Sequence, residues 1–151
     1  MQCLVQSRDY CKDQKEREMS KSVKELAERF YELVNSGGDL SEVLSDDFIF
    51  GIMPGFPYGG DQNGLAASLE FFDKLGQHFD FWEVIPQKYI EIDDKNIAVQ
   101  GLYRTKATES GQDVELDTVH FWTCLNGKLN TYKHYCDTSK LCSALNHSIP
   151  H

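Results

Sequence analysis

Two hydrophobic periods divide the chain near residue 78. Before that point apolar residues recur every three or four positions, as in amphipathic helices, and after it they alternate with polar residues, as in strands. The first stretch, 23–36, begins with Ser22 and Glu25 in the arrangement of a capping box and stops at Gly37. A longer helix of the same kind is predicted over residues 63–77.

The segments around these helices complete the pattern. A short helix is predicted over 39–44 and a short strand over 48–52, whereas the prolines and glycines of 53–60 predict an irregular loop. Helices first and strands afterwards indicate an α+β fold, with helices packed on one face of a mostly antiparallel sheet. The remaining predicted strands are 78–85, 88–92, 96–108, 113–125 and 128–136.

The last two strands form a predicted hairpin around Asn126 and Gly127, a pair that favours a two-residue type I′ turn. An unbroken ladder from that turn sets Val119 opposite His134. Neither face of the hairpin is plainly polar, so we expect one face to line a pocket and the other to meet a partner. The first face is predicted to carry Asp117, Val119, Phe121, Thr123, Asn130, Tyr132, His134 and Cys136. The second is predicted to carry Thr118, His120, Trp122, Cys124, Thr131, Lys133, Tyr135 and Asp137.

Composition narrows the partners. A net charge of −9 argues against nucleic acid and against anionic membrane surfaces, since both attract basic patches. No apolar run approaches the ~20 residues that span a bilayer, and the first residues lack an apolar stretch of signal-peptide length. The five cysteines include no C-x-x-C pair or zinc-finger spacing, so we expect reduced thiols, no metal and a cytoplasmic location.

Several stretches resemble one protein family. The motifs F-Y-x-x-x-N-S-G-G-D-L, L-S-D-D-F, G-x-x-x-G-L-A-A and H-F-W-x-x-x-N-G-K-L-x-x-Y-K-H-Y-C-D are similar to those of SnoaL-like proteins of the nuclear transport factor 2-like superfamily. The resemblance covers roughly residues 20–142. It implies a domain over 20–142, preceded by a flexible arm over 1–19 and followed by a tail over 143–151.

The family's fold implies a curled antiparallel sheet wrapped around N-terminal helices, a cone with an apolar cavity, and a homodimer through the outer sheet face. Members that resemble ketosteroid isomerase carry polar catalytic groups at the positions of Phe30, Ile52 and Val119, which are apolar here. Members that resemble limonene epoxide hydrolase use an arginine and two aspartates, which match Gly101, Tyr103 and His134. Neither of those mechanisms is therefore expected. Both families nevertheless direct groups into the cavity from the positions of Val119 and His134, so the resemblance implies that the first face of the hairpin is the pocket face.

The chemistry expected in the cavity is acid–base catalysis without a cofactor. His134 is the candidate general base or acid, and Asp117 the group that orients it. Tyr103 and Tyr132 are candidate donors to a developing oxyanion, with Tyr58 as a further donor. The predicted substrate pocket comprises Phe30, Ile52, Phe56, Tyr58, Phe72, Trp82, Val119 and Phe121.

The position of Tyr103 stays open, because it depends on the loop between the strands predicted over 96–108 and 113–125. A two-residue turn at Ser110 and Gly111 would set Arg104 opposite Asp117 and turn Tyr103 away from the pocket, whereas a longer loop or a bulge would reverse this. His120 is expected on the dimer surface.

Three functional classes fit these observations. The first is a cyclase, isomerase or dehydratase acting on a small hydrophobic ring compound. The second is a protein that binds such a compound without catalysis, and the third is a protein-interaction module whose cavity is filled by side chains.

Overall fold

The structure is a computed structural model that describes residues 21–145. The arm predicted over 1–19 and the tail from residue 146 onward lie outside the described residues. Within the described part, the helices are too short or too polar to cross a lipid bilayer.

Helix α1, Val23–Ser36, begins and ends at the predicted signals. The hydroxyl of Ser22 accepts from the amide of Glu25, whose carboxylate accepts from the amide of Ser22, so the capping box is confirmed. Gly37 ends the helix in the left-handed conformation, with φ 69°. The helix buries one face against the sheet, formed by Val23, Leu26, Ala27, Phe30, Tyr31 and Leu33.

The next elements differ slightly from their predicted bounds. The short helix is a single 3₁₀ turn, Leu40–Glu42, and the strand that follows is longer than predicted, β1 Leu44–Ile52. A short edge strand, β2 Gly60–Asn63, was not predicted. Helix α2, Leu65–Gly76, confirms the second long helix.

Four long strands and a last helix complete the fold. The strands are β3 Phe79–Glu91, β4 Asn96–Ala107, β5 Asp113–Leu125 and β6 Lys128–Cys136. Helix α3, Thr138–Ala144, was not predicted, and the domain boundary expected at residue 142 falls inside it.

The strands form one six-stranded sheet in the order β2-β1-β6-β5-β4-β3. All neighbours are antiparallel except β1 and β6, which run parallel with Phe50 opposite Tyr132. The sheet is therefore mixed, and mostly antiparallel as predicted. The α+β class is confirmed, with α1 and α2 packed over the inner face of the sheet.

Strand β3 is continuous where the sequence predicted two strands separated by Pro86. A β-bulge between Pro86 and Lys88 absorbs the proline without ending the pairing with β4. Opposite the bulge lies Gly101, where a Cβ atom would sit 2.4 Å from the carbonyl oxygen of Ile85. Glycine therefore permits the close approach of β4 to β3 at this point.

Candidate functional site

The β5–β6 hairpin turns as predicted but changes register one residue later. Asn126 and Gly127 both have positive φ, and Leu125 pairs with Lys128. A bulge in β6 then shifts the ladder, so that Thr123 pairs with Thr131. One extra residue exchanges the faces of one strand relative to the other.

The bulge overturns the predicted pairing of His134. His134 lies opposite His120, not Val119, and both histidines are buried on the inner face. The assignment of His120 to a dimer surface is wrong, because its side chain is only 2% exposed.

The same shift places the predicted Asp117 pair on the wrong side. Asp117 is exposed on the outer face, so it cannot orient the buried imidazole of His134. Val119 and Phe121 share that outer face, and Phe121 is 43% exposed, so neither lines the cavity. Their assignment to the substrate pocket is therefore wrong.

Tyr103 points inward because it pairs with Leu116, on the same buried side of β5 as His120. The loop between β4 and β5 is longer than two residues, with the amide of Ala107 bonding to the carbonyl of Gln112, but it shifts the register by an even number of residues and leaves the faces of the two strands unchanged. Arg104 pairs with Glu115 instead of Asp117, at a distance of 2.8 Å between Nε and the carboxylate.

The inner face, α1 and α2 enclose a cavity of about 440 Å³. Such a volume lies within the range of small-molecule sites. Exposed residues near the end of α1 and along α2, namely Gly38, Leu69 and Gly76, mark its opening to solvent. Five predicted pocket residues lie in its wall: Phe30, Ile52, Phe56, Phe72 and Trp82.

Tyr58 lies outside this wall. Its hydroxyl is 2.8 Å from Nε2 of His78, and its backbone has φ 56°, a left-handed conformation that is unusual for tyrosine. The loop that carries Tyr58 presents Phe56 instead, whose ring meets His134 edge-on with centroids 4.8 Å apart. The predicted pocket position of Tyr58 is thus wrong, while its bond to His78 ties the loop to the end of α2.

A polar cluster forms one end of the otherwise apolar cavity. The hydroxyl of Tyr103 lies 2.6 Å from Nε2 of His120, 2.9 Å from the hydroxyl of Tyr132 and 3.2 Å from Nδ1 of His134. All four side chains line the cavity. Nε2 of His134 is buried and has no hydrogen-bond partner among the described residues.

The cluster continues beneath the cavity wall to helix α1. Nδ1 of His120 lies 2.8 Å from the hydroxyl of Tyr31, which accepts a hydrogen bond of 2.9 Å from Nε1 of Trp122. Neither Tyr31 nor Trp122 lines the cavity. A buried hydrogen-bond chain therefore joins α1 to the cavity.

Burial keeps both histidines neutral. Loss of solvent lowers the pKa of His134 to about 4 and, together with the charge that His134 would carry, lowers the pKa of His120 well below its usual value. Burial also raises the pKa values of Tyr103 and Tyr132, so both phenols hold their protons. The cluster thus offers neutral donors and acceptors.

Metal binding finds no support in the described part of the chain. Between residues 21 and 145 no group of three or more histidine, cysteine or acidic side chains is placed to hold a metal ion. A site that works without a cofactor stays a prediction.

Sequence reasoning missed Tyr31 and misplaced His120, although signals for both were present. Asp113, Glu115 and Asp117 alternate along β5, and three acidic side chains mark a solvent-facing side. His120 falls on the opposite, buried side. Tyr31 lies four residues after Ala27 and so belongs to the apolar face of α1.

Comparisons with solved structures identify the fold. A protein of unknown function from Burkholderia pseudomallei, described as NTF2-like, is 22% identical, with a TM-score of 0.73 over 80% of this chain and 94% of the other. TerC, co-crystallised with polyporic acid, is 20% identical, with a TM-score of 0.74 over 81% and 96%. A protein from Jannaschia sp. described as a SnoaL-like polyketide cyclase is 18% identical, with a TM-score of 0.68 over 83% and 92%.

These likenesses show that the chain has the nuclear transport factor 2-like fold, as the sequence resemblance implied. No protein-family model and no curated protein sequence matches the chain.

Proposed function

We propose that the protein binds a small, mostly apolar ring compound in its cavity and catalyses proton transfer on it without a cofactor. The observation that carries the proposal is the buried cluster of Tyr103, Tyr132 and His134 in a cavity walled mostly by aromatic and aliphatic side chains. Aromatic walls favour rings, and the cluster supplies acid–base groups.

His134 is the proposed proton carrier. One of its nitrogens contacts the hydroxyl of Tyr103 and the other has no partner among residues 21–145, so the ring has a free position for a substrate atom. A neutral imidazole offers a proton on one nitrogen and a lone pair on the other. Tyr103 would hold the His134 ring through its hydrogen bond to Nδ1, and Tyr132 would support Tyr103, so that His134 donates to an oxyanion that develops on the substrate.

Binding without catalysis is the second candidate, favoured by one observation. The carboxylate expected beside His134 is on the outside of the sheet, so an imidazolium in the cavity would lack a counter-charge. The third class, an interaction module with a filled cavity, is not favoured, because about 440 Å³ of space remains.

Binding is tested with a matched pair of Val→Trp variants. Val34 is a half-buried cavity residue and Val119 is a half-buried residue of the outer face. Quenching of Trp82, which lines the cavity, reports the titration of two-ring aromatic ketones and phenols. We expect V34W to abolish binding and V119W to preserve it; equal binding by both variants would place the ligand elsewhere.

We also propose a homodimer through the outer sheet face. The outer face carries Phe121 and Tyr135, which are 43% and 48% exposed and whose rings meet edge-on. Exposed aromatic pairs are typical of protein interfaces. The free thiols of Cys124 and Cys136 are compatible with the cytoplasmic location that we propose.

A further inference from the structure

The protons of the polar cluster can be arranged in few ways, because each hydroxyl and each neutral imidazole has a single proton to donate. The hydroxyl of Tyr103 has three partners, so its single proton goes to one of them and its two lone pairs must accept from the others. The Thr118 hydroxyl also lies beside it and lowers its pKa, but the proton of Thr118 is donated to the carbonyl of Tyr135. The donor and the acceptor of each hydrogen bond in the cluster can therefore be assigned by starting from the residue farthest from the cavity.

That far end is fixed by Trp122, whose indole nitrogen can only donate. Trp122 donates to the oxygen of Tyr31, and the only other polar contact of the Tyr31 hydroxyl within residues 21–145 is Nδ1 of His120. The proton of Tyr31 is paired only if it is donated to that nitrogen. If Nδ1 carried the proton instead, the hydroxyl proton of a tyrosine that is 3% exposed would be left without an acceptor.

The same reasoning assigns the next hydrogen bonds, from His120 toward the cavity. A neutral His120 that accepts at Nδ1 carries its proton on Nε2 and donates it to Tyr103. Tyr103 can next donate to Tyr132 or to Nδ1 of His134. Donation to Tyr132 would leave the proton of that buried hydroxyl unpaired, whereas donation to His134 lets Tyr132 donate back to Tyr103.

We infer that Tyr31, a residue outside the cavity, sets the proton direction of the whole cluster, so that Nε2 of His134 presents an N–H donor to an acceptor oxygen of the ligand. The inference rests on the proposed function for the existence of a ligand and adds its class: a ring compound with a carbonyl or similar acceptor oxygen. Tyr31 is a positioning residue, because it acts through His120 and touches no ligand. In the resulting arrangement the hydrogen on Nε2 of His134 is the only polar hydrogen of the cluster that has no acceptor among residues 21–145.

Nitrogen NMR of ¹⁵N-histidine-labelled protein tests the direction without a ligand, because nitrogens with and without a proton have different chemical shifts. His120→Gln and His134→Gln variants assign the two signals. We expect His120 and His134 to carry their protons on Nε2 in the unsubstituted protein. A proton on Nδ1 of His120 would overturn the inference.

The Tyr31→Phe variant tests the role of Tyr31, with Tyr89→Phe as the matched control. Tyr89 packs against the Tyr31 ring with centroids 6.3 Å apart, and no hydrogen bond joins its hydroxyl to the cluster. We expect both histidines of Y31F to populate a mixture of the two tautomers. In Y89F we expect both to keep the proton on Nε2, as in the unsubstituted protein. Unchanged tautomers in a folded Y31F variant would show that Tyr31 is only structural.

Two probes of the same shape test the ligand class. Benzophenone has a carbonyl oxygen where 1,1-diphenylethylene has a CH₂ group. We expect benzophenone to bind about threefold to tenfold more tightly, the worth of one neutral hydrogen bond, and the preference to shrink toward one in Y31F. Equal affinity for both probes would refute the N–H donor but leave cavity binding intact. Binding of neither probe would refute the proposed function, while the NMR result would still decide the direction of the chain.

Discussion

His120 and His134 face each other across strands β5 and β6, with ring centroids 6.4 Å apart and both side chains buried. Two imidazoles so close in a dry environment disfavour each other's protonation. Their joint neutrality defines the chemistry of the polar cluster: hydrogen bonds and proton transfer, without a charged side chain among its members.

Replacing His134 by glutamine separates catalysis from binding. Glutamine preserves much of the shape but carries no titrating nitrogen, so proton transfer should fall by ~10²–10⁴-fold while affinity changes little. Hydrogen–deuterium exchange at the carbon beside the carbonyl of β-tetralone measures the rate without a known substrate. The control is Asp117→Asn, because Asp117 is exposed on the outer face of the sheet. Exchange at the same rate in H134Q would favour the non-catalytic binder.

Stability should depend on pH through these histidines. Because the folded-state pKa of His134 is about 4 and the unfolded value is near 6.5, the unfolded chain binds more protons between those two pH values. The free energy of unfolding should therefore fall as pH drops from 6.5 to 4, by about 3 kcal/mol from His134 alone.

Urea unfolding at half-unit steps of pH measures that loss. H134Q should reduce the slope in this window, since Gln does not titrate. A flat profile between pH 6.5 and 4.5 would mean that the two histidines are not buried in neutral form. Exposed carboxylates with lowered pKa values, such as those of Glu42 and Glu70, also lose their contribution as pH falls toward 4, so the difference between the unsubstituted protein and H134Q isolates the histidine.

Gly101→Ala should destabilise the sheet, whereas Gly76→Ala should not. A Cβ on Gly101 would lie 2.4 Å from the carbonyl oxygen of Ile85 and 3.1 Å from Cα of Pro86. Both are backbone atoms of the paired strand β3, so they cannot move away without disturbing the sheet. We expect a loss of about 2–4 kcal/mol in urea unfolding. Nothing lies within 4 Å of a Cβ on Gly76, so that helical position should gain about 0.5–1 kcal/mol. Similar effects of both changes would contradict the close approach of β3 and β4.

Phe121→Lys should weaken the proposed dimer. The lysine would remove an exposed aromatic ring and place a second positive charge opposite Lys133, so we expect the dissociation constant to rise at least ~10-fold in sedimentation equilibrium. Ile92→Lys provides the control, because Ile92 is 58% exposed just beyond the end of β3, and β4 separates β3 from the strand of Phe121. A protein that is monomeric before substitution would refute the dimer.

Tyr58→Phe should loosen the loop that carries Phe56. The change removes the bond to His78, so amide hydrogen exchange over residues 53–59 should quicken, and the affinity for ring compounds should fall a few-fold. Tyr135→Phe is the control, because Tyr135 lies on the outer face and is 48% exposed. Identical exchange in both variants would show that the Tyr58 hydroxyl does not hold the loop.

Local signals in the sequence predicted most of the elements. Helix α1 begins at the capping box of Ser22 and Glu25 and ends at Gly37, as predicted. The hairpin turn forms at Asn126 and Gly127, because capping and turn geometry depend on neighbouring residues. The break predicted at Pro86 was wrong, because a bulge accommodates the proline within the continuous strand β3.

The site was only partly predictable. The sequence by itself determined the α+β fold, the helices, the turns and an inward position for His134 and Tyr132, because hydrophobic period and turn chemistry are local. Only the tertiary structure decided that His120, and not Asp117, accompanies His134, since one bulged residue after the turn exchanges the two faces of a strand. The link from Tyr31 to the cavity also arises only in three dimensions, because it joins a helix to a strand 89 residues away in the sequence.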